Sequence, residues 1–171
     1  MMEAFRAVLL IALAAAALTT LVIGLGWWGE PERRLRRTML KTLGAPPETE
    51  ALSAAEGKAA GLDFEEGQIA VLWSRGAHGL VYAFEEIEGG EIIVDGCVVA
   101  RVQRGEPRKA LDIMAPEAEQ VVLRLMFDDA RNPEFELSLW SAASTTSAGS
   151  PAEALRLGRR WLSHLEALFK A

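Results

Sequence analysis

The sequence predicts an α+β protein, in which one N-terminal transmembrane helix precedes an antiparallel β-sheet or partly open barrel of six to seven strands capped by a C-terminal amphipathic helix. Three observations predict this fold class. Residues 7–28 carry no charge, short apolar runs separated by turn residues follow from residue 68, and an apolar stripe with helical spacing closes the chain. We divide the chain into a transmembrane anchor (1–28), a basic juxtamembrane helix and linker (29–67) and an α+β domain (68–171).

The anchor prediction depends on the run AVLLIALAAAALTTLVIGLGWW at residues 7–28. About 20 apolar residues cross the hydrocarbon core of a bilayer as a helix. The run ends in Trp27 and Trp28, aromatic residues of the kind that favour the membrane interface. The alternative is a cleaved signal peptide, but the apolar run is long for one, and no clear A-x-A cleavage motif precedes the tryptophans.

A basic cluster follows the anchor, and no acidic residue interrupts it between positions 33 and 44. Because Lys and Arg accumulate on the cytoplasmic side of single-pass proteins, we predict a C-terminal domain in the cytoplasm, held at the inner membrane of a cell. Near anionic lipid each basic side chain gains about 1 kcal/mol. The predicted membrane interface consists of Trp27, Trp28, Arg33, Arg34, Arg36, Arg37 and Lys41.

One face of the predicted anchor carries only small residues, each four positions apart: Ala12, Ala16, Thr20 and Gly24. Such a face lets transmembrane helices approach closely, so it predicts packing in a homodimer or in a larger membrane complex. The alternative is that an alanine-rich helix shows this spacing by chance.

The segment after the anchor predicts a short helix at residues 33–43, with Leu35, Met39, Leu40 and Leu43 on its apolar side. Gly44 ends this helix, and the prolines that follow prevent its continuation. We expect residues 51–67 to be mostly irregular, because two glycines leave little room for a helix there.

Strands are predicted from residue 68 onward, where apolar runs of four to nine residues alternate with turn residues. Asp95-Gly96 predicts one tight hairpin, and residues 129–133 predict another. Strands so close in sequence are expected to pair as an antiparallel meander. The predicted strands are QIAVLWS (68–74), LVYAF (80–84), EIIV (91–94), CVVARVQ (97–103), QVVLRLMFD (120–128) and EFELSLW (134–140).

The C-terminal helix has a clear predicted start. Ser150 is the expected N-cap, Pro151 the first helical residue, and Glu153 the third, which completes a capping box. The apolar stripe must be buried against the sheet. It consists of Leu155, Gly158, Trp161, Leu162, Leu165, Leu168 and Phe169.

Charge excludes some functions. Residues 45–171 contain 12 Lys and Arg against 21 Asp and Glu, so the domain is strongly acidic, and nucleic acid is not an expected partner.

The side chains that could carry chemistry do not form a recognisable motif. His78 is expected in a solvated loop, His164 at the border of the helical stripe, and the lone Cys97 packed in a strand. Asp128-Asp129 lies at a hairpin turn, where Asp has a structural use. We therefore predict no catalytic residue, no metal site and no cofactor.

Four segments resemble a class of bacterial membrane-anchored proteins with a pleckstrin-homology-like (PH-like) domain: GLDFEEGQIAV, VYAFEEIEGGEIIVDG, VVLRLMFDDARNPEFELSLW and the closing helix with Trp161. The resemblance covers residues 61–169 and includes an F-x-x-I step from Phe84 to Ile87. It implies a bent antiparallel sheet plugged by the C-terminal helix, used for binding or scaffolding. The first loop of the lipid-binding members is rich in Lys and Arg, whereas residues 74–79 hold only Arg75 and His78, which argues against phosphoinositide binding.

The sequence therefore predicts a non-enzymatic interaction or scaffold module, anchored at the cytoplasmic face of the membrane, whose partners are the bilayer and another protein. The alternative is an accessory single-pass subunit of a larger membrane complex.

Overall fold

A computed structural model of the chain describes Thr19 and residues 31–110, 117–143 and 148–170. The predicted anchor lies outside the described residues, apart from Thr19, which is helical. Among the residues that are described, no helix is both long and apolar enough to cross a membrane.

Helix α1 (Pro31–Leu43) confirms the helix predicted after the anchor. Its positions 35, 39 and 43 lie on one side because they are four residues apart, and all three side chains are buried. Leu40, which was predicted to join this stripe, is instead 45% exposed. Gly44 ends the helix with a left-handed φ of +83° and donates its N–H to the Leu40 carbonyl at 2.9 Å.

The first sheet contains four antiparallel strands in chain order: β1 (Thr49–Ser53), β2 (Lys58–Asp63), β3 (Gln68–Trp73) and β4 (His78–Ala83). The prediction that residues 51–67 are mostly irregular is wrong, because most of β1 and all of β2 lie there. Of the two glycines that argued against a helix, Gly57 occupies a turn at φ of +65° and Gly61 lies within β2.

The second sheet contains five antiparallel strands in the order β7-β6-β5-β8-β9. The described residues thus hold nine strands, more than the six or seven predicted. The meander prediction holds for the first sheet and for the two predicted hairpins, but β8 pairs with β5 rather than with β6. The strands are β5 (Ile87–Val94), β6 (Cys97–Gln103), β7 (Lys109–Ala110), β8 (Gln120–Phe127) and β9 (Glu134–Ser141).

The Asp95-Gly96 turn explains part of this order. Both residues have positive φ, +47° and +81°, as the predicted tight hairpin between β5 and β6 requires. The Asp95 carboxylate also accepts the backbone N–H groups of Glu119 and Gln120 at 3.0 and 2.8 Å. The turn therefore holds the start of β8 next to the end of β5.

Helix α2 (Pro151–Lys170) confirms the predicted C-terminal helix. The Ser150 hydroxyl accepts the Glu153 N–H at 3.3 Å, as expected for an N-cap. The Glu153 carboxylate accepts the N–H of Gly149, one residue before the predicted partner. The helix approaches β5 closely because Gly158 and Gly90 have no side chains at the contact. The predicted stripe is buried or half-buried along its whole length.

The main core lies between the two sheets and beneath α2. A smaller apolar cluster lies on the other side of the first sheet, beneath α1; it consists of Leu35, Met39, Leu43, Leu52, Ala59, Ala70 and Leu72. Strands β1 to β3 are therefore buried on both faces, and helix α1 is packed onto the same unit as the strands.

Candidate functional site

Helix α1 has a basic face, defined as Arg33, Arg34, Arg37 and Lys41. At 100° per residue, these four positions fall on the side opposite the buried stripe. Arg34, Arg37 and Lys41 are exposed and Arg33 is half-buried. Four of the five basic residues of the predicted membrane interface therefore share one surface.

The fifth, Arg36, lies on the flank of α1 and belongs to the packing of the helix. Its guanidinium lies 3.4 Å from the Glu32 carboxylate and 3.1 Å from the Glu50 carboxylate of β1. Exposed ion pairs of this kind contribute up to about 1 kcal/mol each. Arg36 thus links α1 to β1.

Small residues in the first sheet allow α1 to dock closely. A Cβ at Gly61 in β2 would lie 3.0 Å from both Met39 Sδ and Pro47 Cβ. A Cβ at Gly76, in the turn between β3 and β4, would lie 3.0 Å from Thr38 Oγ1. Each fully buried apolar side chain of α1 adds about 1.5–3 kcal/mol to this contact. The direction of the basic face is therefore set by the packing of the domain.

Charge is divided between α1 and the rest of the domain. The basic face has a like-signed field, whereas residues 45–171 have a formal balance of −9. An anionic surface attracts the first and repels the second. This division gives the domain a preferred orientation towards an anionic surface.

The two histidines lie far apart in the fold. His78 begins β4, is exposed, and stacks on Trp73 with ring centroids 6.1 Å apart, so it is part of a strand rather than of the predicted loop. His164 is half-buried on α2, as predicted. Its Nε2 lies 3.3 Å from Thr49 Oγ1, and its ring centroid lies 5.2 Å from that of Phe64.

Cys97 begins β6, and its side chain is exposed. The prediction of a strand position is confirmed, but the prediction that the thiol is packed is wrong. In residues 31–110, 117–143 and 148–170, no group of three or more His, Cys, Asp or Glu side chains is placed to bind a metal ion.

The Asp129 carboxylate organises the turn between β8 and β9. It accepts the Arg131 N–H at 2.8 Å, the Tyr82 hydroxyl at 2.8 Å and the Asn132 amide at 3.2 Å. These hydrogen bonds, led by the one from the Arg131 backbone, lower the pKa of Asp129 to about 2. Burial and this contact with Asp129 raise the pKa of Tyr82. The geometry supports the structural use predicted for Asp129.

A row of alternating charges crosses the second sheet, and it was not recognised in the sequence. Arg101, Glu91, Arg124 and Glu136 are direct neighbours on four adjacent strands. Glu91 is 1% exposed, and its two oxygens lie 2.6 Å from Arg101 Nε and 3.0 Å from Arg124 Nη1. The sequence signal for this row was the single Glu in EIIV (91–94), but its arginine partners are known only once the strand order is known.

The remaining predicted site residues fall on the anchor. Ala12, Ala16, Thr20, Gly24, Trp27 and Trp28 lie outside the described residues. Comparison of the chain with protein-family models, with curated proteins and with solved structures gives no match.

Proposed function

We propose that the protein is a membrane-anchored, non-enzymatic interaction or scaffold module at the cytoplasmic face of a bacterial inner membrane. The observation that carries the proposal is the docking of α1: its apolar stripe is buried on the first sheet, and its basic face points outward.

The distance from the anchor makes this arrangement useful. Pro31 follows Trp28 by three residues, which span at most about 10 Å. A basic face at this distance lies within reach of anionic head groups, where each cation gains about 1 kcal/mol. The acidic remainder of the domain is repelled from the same surface. In this arrangement, α1 holds the domain at the membrane in one orientation and presents the second sheet to the cytoplasm.

A PH-like, partly open barrel is the finer fold that we propose. Two antiparallel sheets pack against each other. Helix α2 packs on the second sheet and contacts the first near the turn between β2 and β3, where His164 meets Thr49 and Phe64. The architecture alone implies a binding function only by analogy with other proteins of this shape.

Hydrogen exchange in lipid nanodiscs tests the membrane-facing part of the proposal. With anionic lipid, we expect slower exchange in α1 than with zwitterionic lipid. Neutralising the outer face with Arg34→Gln, Arg37→Gln and Lys41→Gln is expected to remove this lipid dependence. The matched control neutralises three exposed cations of α2, with Arg156→Gln, Arg159→Gln and Arg160→Gln, and is expected to retain it. Equal exchange of wild-type α1 in both lipids would refute the orientation.

The small-residue face of the anchor favours a second candidate function, an accessory subunit of a larger complex. A C-terminally tagged copy, extracted in mild detergent, separates the two candidates by particle mass and companions. An interaction module gives a particle of one or two chains with companions at variable ratio. A large particle with companions at fixed ratio, released by Ala16→Leu with Thr20→Leu, identifies the subunit instead.

A further inference from the structure

A pocket of about 240 Å³ lies between the sheets, at the end of the core away from α2. This end carries the turn between β3 and β4, where Trp73 pairs with His78. The pocket has a buried floor of Val71, Tyr82 and Phe127, half-buried walls of Trp73, Leu80 and Phe135, and an exposed rim of Asn132, Glu134 and Glu136.

The pocket is held in shape by contacts between its own lining residues. The Tyr82 and Phe127 rings stack with centroids 4.2 Å apart. Lys58 donates to the Glu136 carbonyl at 2.9 Å, and its ammonium lies 5.9 Å from the centroid of the Phe135 ring. Such a preformed apolar site lowers the cost of ordering a bound group.

The size of the pocket limits its occupant to a single ring system. A dry apolar cavity of about 150 Å³ is large enough for benzene. Pockets for drug-sized ligands range from about 300 to 1,000 Å³. An aromatic side chain fits between these limits, and aromatic walls favour an aromatic guest through edge-to-face or offset contacts.

The strand beside the pocket is an edge of its sheet. In the part of the chain that the structure describes, β4 pairs only with β3. Phe84 donates its N–H to Gly67 on the β3 side at 2.9 Å, so alternation along the strand turns the Val81 N–H to the open edge. An incoming strand would place every second side chain on the face of Leu80 and Tyr82, and that face lines the pocket.

The edge of β9 differs from that of β4. Its Glu136 carbonyl is bound by Lys58, and the N–H and hydroxyl of Ser138 are bound by the Glu56 carboxylate. Side chains from the first hairpin thus occupy backbone groups that another strand would need. On β4, the Glu86 carboxylate accepts the N–H of Ala83, the last residue of the strand, at 2.7 Å. The open edge of β4 therefore accepts a partner strand at Val81 and the residues before it.

The charge around the pocket selects the flanks of the incoming segment. Carboxylates outnumber cations around the pocket. Glu134 and Glu136 form its rim and share one cation, Arg124, at 3.6 and 2.7 Å. Asp128 and Asp129 lie with Arg131 in the adjoining turn, and the Lys58 ammonium is already paired with Glu56 at 3.5 Å. An acidic rim favours a segment with Lys or Arg beside the inserted ring.

We propose that β4 accepts an extended segment of a partner protein as a fifth strand, which inserts one aromatic side chain, flanked by Lys or Arg, into the pocket between the sheets. This inference rests on the proposed interaction function and names the surface and the chemistry of its partner.

The test uses the full chain, labelled with 5-fluorotryptophan, in detergent micelles. The chain has five tryptophans, and the Trp73 resonance is assigned with Trp73→Phe. The probe is the capped peptide TVKTFTKVT, in which a Lys lies two residues to either side of Phe on the same face of the strand. We expect a saturable shift of the Trp73 resonance, while those of Trp140 and the buried Trp161 report an unchanged fold. Replacing Phe in the peptide by Ala, or both Lys by Glu, is expected to weaken binding at least tenfold.

Two variants test the strand geometry. Val81→Pro removes the N–H at the open edge and is expected to abolish binding, whereas Val81→Ala keeps this donor and is expected to retain it. A peptide N-methylated on alternate residues gives the same test without changing the protein. The inference is overturned if the Trp73 resonance does not shift up to millimolar peptide. It is also overturned if the peptide binds Val81→Pro as tightly as Val81→Ala and the methylated peptide binds the wild type as tightly as the unmodified one.

The proposed function fails separately. If native companions co-purify equally with wild type and with Val81→Pro, the interaction function stands and the β4 surface is wrong. If wild type yields no companion at all, the proposed function itself is refuted.

Discussion

Replacing Leu35 by Ala tests whether α1 is an integral part of the domain. Leu35 is fully buried between α1 and the first sheet. The change removes three carbon atoms, which costs about 2.4 kcal/mol of transfer free energy at about 0.8 kcal/mol per methylene. Incomplete closure of the cavity raises the usual Leu→Ala cost to about 2–5 kcal/mol. We expect about 3 kcal/mol here, because the cluster beneath α1 is small and its walls can relax.

The matched control is Leu40→Ala, which makes the same chemical change on the same helix at a side chain that is 45% exposed. We expect it to cost less than about 0.5 kcal/mol. Both variants are measured as full chains in detergent by denaturant titration, with tryptophan fluorescence as the readout. Equal midpoints for Leu35→Ala and Leu40→Ala would refute the packing of α1 on the sheet, and with it the orientation of the basic face.

Three further predictions concern the sheets. Glu91→Gln leaves two arginines without their buried anion, so we expect the free energy of unfolding to fall by the low end of about 3–5 kcal/mol, because both guanidinium groups reach solvent. Glu134→Gln, at an exposed position, is the control in the same denaturant titration and should cost less than about 1 kcal/mol. The lowered pKa of Asp129, about 2 against an ordinary 3.8, gives stability that is present above about pH 4 and is lost as the pH falls towards 2. Asp129→Asn should flatten this decline in thermal melts at pH 5, 3.5 and 2.5. An unchanged decline would contradict the stabilising role of the Asp129 carboxylate. Gly90→Ala places a Cβ 2.6 Å from Leu165 Cδ1 and should lower the free energy of unfolding by about 1–3 kcal/mol, seen as a lower melting temperature. A gain in stability would show that α2 does not approach β5 so closely.

The local elements were predictable because their signals are local. The spacing of Leu35, Met39 and Leu43 predicted α1, Asp95-Gly96 predicted a hairpin, and Ser150 predicted the start of α2. β1 and β2 were missed because their Ala and Gly residues lack the β-branched and aromatic side chains typical of strands. These same small residues are needed where α1 docks, so tertiary packing overrode strand propensity.

The site was only partly predictable, because its geometry depends on long-range pairing. The sequence identified the basic cluster, but the ion pair between Arg36 and Glu50 depends on where β1 lies in the fold. The aromatic pocket was invisible in the sequence, since Trp73 and Phe135 meet only when β8 has inserted beside β5. The exposure of Cys97 likewise depends on which strands cover the start of β6.

The most direct test of a cytoplasmic, membrane-held domain uses the natural Cys97, which is exposed and is the only cysteine of the chain. A membrane-impermeant maleimide is added to right-side-out and to inside-out membrane vesicles, and Cys97→Ser measures the background. A cytoplasmic domain is labelled at once in inside-out vesicles, and in right-side-out vesicles only after detergent. Immediate labelling of right-side-out vesicles would place the domain on the outer side and refute the proposed topology.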